Sequence, residues 1–362
     1  MRLALVCSWL NQYGGAERVL EAVHELWPDA PLYTSIHQPT SLPDHFRTWD
    51  IRATWMNRLP GIDRRSRLYL PLYPFAFNTL RLEGYDAVLS ISSGFATAAR
   101  CPGAPHIAYC LTPPRFLWGY QDYLARESIP AWQRAGLSAL LPLMRRWDRR
   151  ASSGVSHFIA IAGEVQQRIR AIYDREATII HPPVDTTRFQ PGNRVNDYLL
   201  VVGRLVPYRR IDLAVRACTE LGLPLKVVGE GRARSELEAQ AGPTVEFLGR
   251  LPDELVVELM QGCRALLWPG LEDFGITPIE AQAAGRPVVA YAGGGSLETI
   301  VDGETGLLFA EQSVDSLKSV LRRLEYATFD RDTLRRSALR FDKSVFQEKL
   351  HQYVEGVVAG AR

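Results

Sequence analysis

Two acidic residues, Glu272 and Glu280, lie eight positions apart in the stretch LEDFGITPIEAQAAGRP. The apolar run ALLWP before them predicts a buried strand, and the residues after Gly275 follow a helical pattern that ends at Gly285. A carboxylate accepts hydrogen bonds from neighbouring hydroxyl groups through both of its oxygens. Two acids at the end of a strand therefore suit a ligand rich in hydroxyl groups.

A second interpretation of Glu280 is structural. Thr277 is a favourable N-cap, Pro278 suits the first helical position, and Glu280 would complete an S/T-x-x-E capping box. This interpretation leaves Glu272 unexplained. From the residues alone, both interpretations of Glu280 stay open.

Cations follow another predicted strand, in the stretch VVGRLVPYRRID. Arg204 and Arg209 leave the strand end toward the edge of the sheet where ligands bind, and the guanidinium fork matches phosphate oxygens. Free N–H groups at the helix starts near Gly15 and Thr277 would favour the same anion. The alternative is that these residues and Arg210 are ordinary solvated arginines.

The elements that position these residues alternate in short strands and helices. One series of apolar runs is LALVCS, PLYTSIH, AVLSIS, HIAYCL, HFIAIA and ATIIHP, and a second is YLLVVGR, LKVVGEG, VEFLGR, ALLWPG and PVVAYAG. A proline-rich linker near residues 182–197 separates them. We therefore predict two doubly wound α/β domains, at residues 1–190 and 191–342, with a ligand cleft between them.

A pair of glycines, Gly14 and Gly15, opens the first predicted helix. Its residues Val19, Leu20 and Val23 have helical spacing. The start of this helix presents N–H groups to an anion, but an ordinary strand-to-helix turn explains the glycines equally well, because the spacing is not G-x-G-x-x-G.

These motifs together resemble the retaining, nucleotide-sugar-dependent glycosyltransferases of family GT4. The resemblance covers nearly the whole chain and rests on GGAER, GRLVPYRRID, VVGEG, the E-x7-E pair EDFGITPIE, and GLLF. It is closest to the bacterial mannosyltransferases of O-antigen and exopolysaccharide synthesis, through YCLTPPRFLW and VPYRRID. The family implies the GT-B fold, with two facing Rossmann-like domains and a terminal helix, here residues 343–362, that crosses back to the first domain.

The resemblance also implies roles for single residues. Glu280 would hold the nucleotide ribose and Glu272 a hydroxyl of the donor sugar, while Arg204 and Arg209 would neutralise the diphosphate. Arg209 stands where the family usually has lysine. The other implied donor-binding positions are Gly14, Gly15, Gly203, Gly229, Phe274, Gly275 and Ile276.

One position departs from the family more seriously. The family usually has histidine, close to the donor sugar, where this chain has Leu111, and leucine can neither hydrogen-bond nor carry a proton. Either the donor lacks a 6-hydroxyl group or the chain is a weakened enzyme.

Retention in this family needs no protein nucleophile, because the departing phosphate accepts the proton of the acceptor. The spacing rule for the two acids of glycosidases therefore does not apply to Glu272 and Glu280.

Composition excludes several other classes. The net charge of +2 over 362 residues argues against a nucleic-acid protein, although residues 1–190 carry 21 Arg and Lys against 16 Asp and Glu. No apolar run approaches 18 residues, the five cysteines form no C-x-x-C pair, and the histidines form no ligand-spaced cluster. We therefore expect a cytoplasmic protein without cofactor or metal. The motif DRD (330–332) precedes a helical run, and we expect it to cap that helix rather than to bind a metal.

A basic amphipathic segment, LSALLPLMRRWDRR (137–150), is the one sign of a membrane contact. It could rest on anionic lipid at the inner face of the cell membrane, with Arg58, Arg64, Arg65 and Arg67 nearby, or be a core helix with a solvated end. The expected partners are a nucleotide sugar and a glycan or lipid-linked acceptor. The rival classes are a nicotinamide dehydrogenase, a sugar-nucleotide epimerase and a non-catalytic sugar-nucleotide-binding protein.

Overall fold

The computed structural model describes residues 1–62, 66–119, 131–192 and 194–361, without the side chains at 67, 131–137 and 139. The chain divides into two compact units. Unit 1 consists of Met1–Pro183 and Phe346–Arg362, and unit 2 is Val184–Val345. Each unit is built on one parallel sheet.

The sheet of unit 1 has the strand order β3-β2-β1-β4-β5-β6-β7 over the described residues. Its strands are β1 Leu3–Cys7, β2 Leu32–Thr34, β3 Ile51–Ala53, β4 Ala87–Ser92, β5 His106–Cys110, β6 His157–Ala160 and β7 Ala177–Ile179. The helices are α1 Gly15–Leu26, α2 Tyr73–Asn78, α3 Arg115–Trp118, α4 Ala131–Ser152 and α5 Gly163–Tyr173. Strands β1, β4 and β5 are buried along their whole length, because helices and loops cover both faces of the sheet.

The sheet of unit 2 has the order β10-β9-β8-β11-β12-β13. Its strands are β8 Leu199–Val202, β9 Leu225–Val228, β10 Val245–Gly249, β11 Ala265–Trp268, β12 Val288–Tyr291 and β13 Gly306–Phe309. The helices are α6 Ile211–Leu221, α7 Arg234–Gln240, α8 Asp253–Gly262, α9 Ile276–Ala283, α10 Ser296–Thr299, α11 Val314–Leu324 and α12 Arg331–Leu339. The main core of this unit packs α6 and α11 against the sheet through buried Leu, Val and Ala side chains.

The strand order reverses direction once in each sheet. The chain runs outward from β1 to β3 and then returns to place β4 on the other side of β1, and β8 and β11 repeat this arrangement in unit 2. Ligands of doubly wound sheets bind beyond the carboxyl ends of the strands at such a reversal. The loops after β1, β4, β8 and β11 are therefore where a site is expected.

The last helix, α13 Lys343–Ala361, joins unit 1 from Phe346 onward. The ring of Phe346 is buried edge-on against Tyr109, with centroids 5.6 Å apart, and Gln347 donates a hydrogen bond to the carbonyl of Ala22. These contacts fix the chain end on the first sheet and on α1.

No helix among the described residues combines the length and the apolar character needed to cross a bilayer.

All five cysteines are free thiols, and four of them are buried. Burial raises the pKa of the Cys7, Cys218 and Cys263 thiols to about 12, so these thiols are held in their neutral, unreactive form.

Candidate functional site

The loops at the reversal of the second sheet carry the predicted cation and acid side by side. The loop after β8 contains Arg209, the loop after β11 contains Glu272, and Arg209 Nε lies 3.3 Å from Glu272 Oε1. Their side chains are only 19% and 17% exposed. Residues more than sixty positions apart in sequence thus meet at the expected edge of the sheet.

Arg209 is enclosed by three neighbours at the end of a short 3-10 turn, Pro207–Arg209. Its Nη1 occupies the space where a Cβ on Gly203 would lie, and its Cα is 2.8 Å from where a Cβ on Gly270 would lie. Its Cζ lies 5.0 Å from the centroid of the Trp268 ring. Only glycine permits this approach at 203 and 270, so the backbone itself makes room for the guanidinium.

Glu272 lies on a loop that a run of three glycines supports. Gly294 and Gly295 follow β12, and a Cβ on either would collide with the backbone of Glu272 or Phe274 respectively. The N–H of Gly295 donates to the carbonyl of Glu272 at 3.0 Å. Phe274 is 4% exposed and packs edge-on against Phe341. The acid is therefore held on a buried, closely packed loop rather than on a mobile one.

The start of α9 corrects one of the sequence predictions. The helix is capped by Gly275, at φ +87°, with no side-chain hydrogen bond, and begins at Ile276. Thr277 is therefore inside the helix, and the proposed capping box of Thr277 with Glu280 is wrong. The positive φ favours glycine at this cap, and a Cβ there would also lie 3.3 Å from Trp268 Nε1 and close to Pro278.

Glu280 is 7% exposed on α9. The capping box therefore does not explain the acid at this buried position. The ligand-binding interpretation of Glu280 remains as a prediction. A ribose diol would supply hydrogen bonds to such a carboxylate.

The other two arginines of this loop differ from Arg209. Arg204 is exposed, and its Nη2 donates to the hydroxyl of Tyr208 at 3.1 Å. Arg210 has a left-handed backbone conformation, φ +50°, and pairs with Asp212 at 3.1 Å. Arg210 therefore has a local structural partner, whereas Arg204 keeps most of its guanidinium in solvent.

The predicted residues of unit 1 lie at the reversal of the first sheet, where Leu111 lines a small cavity. Gly14 caps α1, which begins at Gly15, and a Cβ on Gly14 would lie 3.6 Å from a carboxylate oxygen of Glu17. Glu17, Ser8 and Leu111 line a cavity of about 20 Å³, and Glu17 is only 3% exposed. This volume suffices for about one water molecule. Leu111 thus lies beside a buried acid.

Several residues of the site escaped the sequence analysis. They are Trp268, Gly270, Gly294, Gly295 and Glu17. The run AGGGS after the strand PVVAY was a visible signal for close backbone packing, and GGAER contained Glu17. Nothing in the sequence marked Trp268 as more than the end of a buried strand.

Groups of three or more metal-ligating side chains that could hold an ion are absent from the described part of the chain. The DRD motif is a helix cap, because Asp330 accepts a hydrogen bond from the N–H of Thr333 at the start of α12. The remaining predicted position, Gly229, follows β9, and its Cα faces the carbonyl of Gly203 so closely that no Cβ fits.

Two family models match the chain in succession. The model for Glycosyltransferase Family 4 matches residues 13–188, and the model for Glycosyl transferases group 1 matches residues 184–338. A D-inositol 3-phosphate glycosyltransferase of Nocardia farcinica is 31% identical over 225 residues, which are 53% of this chain and 49% of that protein. The chain thus spans about half the length of that relative.

Solved structures resemble the fold over nearly the whole chain. Anabaena HepE in complex with UDP has a TM-score of 0.76 at 15% identity, covering 98% of this chain and 100% of its own. Sucrose-phosphate synthase from Thermosynechococcus elongatus has a TM-score of 0.76 at 17% identity, covering 99% and 100%. The two sheets and these likenesses define a GT-B fold of two Rossmann-like domains. With its two family matches, the chain belongs to the glycosyltransferases of group 1, the GT4 class.

Proposed function

We propose that this chain transfers a hexose from a nucleotide sugar to an acceptor hydroxyl with retention of configuration. The observation that carries the proposal is the Arg209–Glu272 pair at the reversal of the second sheet, surrounded by glycine backbone. A cation and an acid held side by side suit the two halves of such a donor, the diphosphate and the hydroxyl-rich sugar.

In this proposal unit 2 binds the donor. Glu280 accepts hydrogen bonds from the ribose, Glu272 holds a sugar hydroxyl, and the backbone of residues 274–276 lines the sugar and phosphate. Arg204 and Arg209 stabilise the diphosphate as it departs. In unit 1, Gly14 and Gly15 contribute N–H groups at the start of α1.

The reaction breaks the bond from C1 of the sugar to the diphosphate oxygen and forms the bond from C1 to the acceptor oxygen on the same face. The acceptor proton passes to the departing phosphate. Positive charge at that phosphate lowers the barrier, because charge develops there in the transition state. The arginines supply this charge, and we propose that the reaction needs neither metal nor cofactor, so that EDTA should leave turnover unchanged.

For the donor we propose GDP-mannose, on the resemblance of YCLTPPRFLW and VPYRRID to bacterial mannosyltransferases. HepE binds UDP, which makes UDP-hexoses the comparison set. Leu111 favours two alternatives, a 6-deoxy-sugar donor or a sugar-nucleotide-binding protein without turnover, because leucine offers no hydrogen bond to a 6-hydroxyl group.

For the acceptor we propose a glycan or a lipid-linked sugar, used in polysaccharide synthesis. A lipid-linked acceptor would bring the chain to the inner face of the cell membrane as a peripheral protein. The relatives named for D-inositol 3-phosphate add a soluble, phosphorylated polyol to the acceptors worth testing.

The first experiment is a thermal-shift screen with GDP, UDP, dTDP and their hexose and 6-deoxyhexose conjugates. A ligand at about 100 times its dissociation constant adds roughly 2.7 kcal/mol to the free energy of unfolding. We expect one diphosphate series to stabilise the wild type and to stabilise Arg209→Met much less. Arg216→Gln, an exposed arginine on α6, is the matched control.

Turnover of the best donor, with and without acceptors, then separates transfer from binding. Release of the nucleoside diphosphate that depends on an acceptor supports a transferase. Stabilisation without any release across glycan, lipid-linked and inositol phosphate acceptors would favour the non-catalytic alternative. Absence of stabilisation by every nucleotide sugar would refute the proposal.

A further inference from the structure

Helix α4 of unit 1 has one face in the core and one face in solvent. Leu141, Met144 and Asp148 are at most 8% exposed, whereas Leu143 is 68% exposed and Leu140 37% exposed. An ordinary surface helix places polar side chains on its outer face. Here the outer face presents Leu140 and Leu143 as well as exposed arginines.

A cavity of about 620 Å³ opens where this outer face meets the end of α2. Its polar lining consists of Asn78, Arg100 and Arg150, and the ring of Trp147 forms part of its apolar lining. Cys101 also lines it, but burial raises the pKa of that thiol to about 12, so it stays neutral. No carboxylate lies among the described lining residues, so the cavity is positively charged.

The arginines of this surface divide into two groups. Arg149 stacks over the Trp118 ring at 4.8 Å, and Arg145 donates to the carbonyl of Leu117. Arg100, Arg146 and Arg150 are exposed, and none of the three forms an ion pair with a carboxylate in the part of the chain that the structure describes. Two of these uncompensated cations, Arg100 and Arg150, line the cavity and favour an anionic partner.

Exposed apolar side chains flank the cavity on two helices. Leu143 lies one helical turn before Trp147 on α4, and Phe75, which is 64% exposed, lies one turn before Asn78 on α2. A single exposed leucine on a soluble protein needs no explanation. Large exposed apolar side chains on the two helices that line a cationic cavity combine the two features with which a protein binds the interface of a bilayer.

We infer that this cavity binds the phosphate of an anionic phospholipid, with Phe75 and Leu143 inserted between the neighbouring lipids. Arg100 and Arg150 pair with the phosphate oxygens, and Asn78 donates from its amide. The inference deepens the proposed function by naming the surface that meets the membrane. The cavity lies beside residues 100–104 and Gly154, which precede β5 and β6. It is therefore at the amino ends of the strands, whereas Gly14 and Leu111 follow the carboxyl ends of β1 and β5.

The sequence pattern had assigned further arginines to this surface. Arg58 is exposed, while Arg64, Arg65 and the side chain of Arg67 lie outside the described residues.

The test is co-sedimentation of the full chain with vesicles of phosphatidylcholine alone and of phosphatidylcholine mixed with phosphatidylglycerol. We expect binding to the mixed vesicles only. Arg100→Gln with Arg150→Gln should lower the partition coefficient about 25-fold, from about fivefold for each cation, which corresponds to about 1 kcal/mol each. Phe75→Ser with Leu143→Ser should lower it as well.

Matched controls carry the same changes in unit 2. Arg216→Gln with Arg250→Gln removes two exposed arginines, and Leu297→Ser removes an exposed leucine. Both controls should bind nearly as the wild type does. An equal loss in the control pair would overturn the inference, because it would show a response to net charge alone.

Two further results would overturn it. Displacement from vesicles by free glycerol phosphate would show a site for a soluble phosphate, and unchanged binding of the Phe75 and Leu143 variant would exclude insertion. Nucleotide binding by the same variants should equal that of the wild type. Vesicle binding with no donor turnover would therefore refute the proposed transfer while leaving this inference intact.

Discussion

Replacing Trp268 by leucine should weaken recognition of the diphosphate without removing any group that touches it. The guanidinium of Arg209 lies 5.0 Å from the indole centroid, and Trp268 is 6% exposed. A cation over an aromatic face in a partly desolvated site gains about 1–2 kcal/mol. Without the ring, the guanidinium loses one of the surfaces that fix its orientation toward the ligand.

The expected loss is about 5- to 30-fold, since each 1.4 kcal/mol corresponds to a factor of ten. The quantity to measure is the diphosphate increment, the ratio of the dissociation constants of the nucleoside and of its diphosphate, by isothermal titration calorimetry. Trp268→Leu should lower this ratio and leave the nucleoside constant unchanged. Trp268→Phe keeps a ring and should lie between the two.

Folding must be separated from binding in this experiment, because removing a buried indole costs roughly 2–4 kcal/mol of stability. Urea unfolding measures that cost. Phe247→Leu, on β10 at the far edge of the same sheet, is the control for a lost aromatic ring in unit 2. It should lower stability and leave the increment as it is.

A double-mutant cycle with Arg209→Met decides whether Trp268 acts through the cation. If it does, Trp268→Leu has little further effect on the increment in the Arg209→Met background, and the coupling free energy equals most of the single effect. Strict additivity would refute the reasoning, because it would mean that Trp268 acts on the ligand independently of Arg209.

Three other perturbations follow from the structure. Burial raises the pKa of Asp148 to about 6, so between about pH 4 and pH 6 the native state retains a proton that the unfolded state has lost. The free energy of unfolding therefore falls as the pH rises through this range, by up to about 3 kcal/mol. Asp148→Asn keeps one oxygen for the hydrogen bonds from Trp118 and Tyr173. Urea titrations of this variant across the same pH range should show no such fall, and an unchanged dependence of stability on pH would contradict the prediction. Glu280→Ala should weaken nucleoside diphosphate binding by about 1.5–3 kcal/mol, and a loss of stability alone would leave Glu280 a structural residue. Leu111→His should raise kcat/KM for a hexose donor roughly 2- to 13-fold and less for a 6-deoxy donor, whereas no change would place Leu111 away from the sugar.

Most of the fold could be predicted because buried parallel strands are continuous apolar runs. Runs such as AVLSIS and ALLWP can be recognised as strands without knowing which strands pair with them. The strand β3, Ile51–Ala53, was missed because it is a short edge strand with a half-exposed pattern. The strand β13 has the sequence GLLF, and its four residues carry too little periodic signal to predict a strand.

The site was less predictable than the fold, because its contacts are long-range. Strand-end position brought Arg209 and Glu272 to the same edge of a sheet, which sequence reasoning can foresee. Their actual pairing depends on the space that Gly203 and Gly270 leave. The capping box at Thr277 is wrong because Gly275, in a conformation that favours glycine, caps the helix two residues earlier without a side-chain hydrogen bond.

The pairing of Arg209 with Glu272 gives the site a definite electrostatic state before any ligand arrives. The two atoms lie 3.3 Å apart, yet neither Arg209 Nε nor Glu272 Oε1 makes a hydrogen bond with the described residues, although both atoms are buried. The Coulomb attraction compensates part of the cost of burying the two charges, and the hydrogen-bonding capacity of both atoms stays unused. The side chains are still 19% and 17% exposed, and through that surface a phosphate oxygen and a sugar hydroxyl would contact them without new burial of the two charges. Removing either partner alone would leave the other a buried, uncompensated charge. We therefore expect Arg209→Met and Glu272→Gln each to cost more stability than the double variant, a comparison that urea unfolding of the three proteins makes directly.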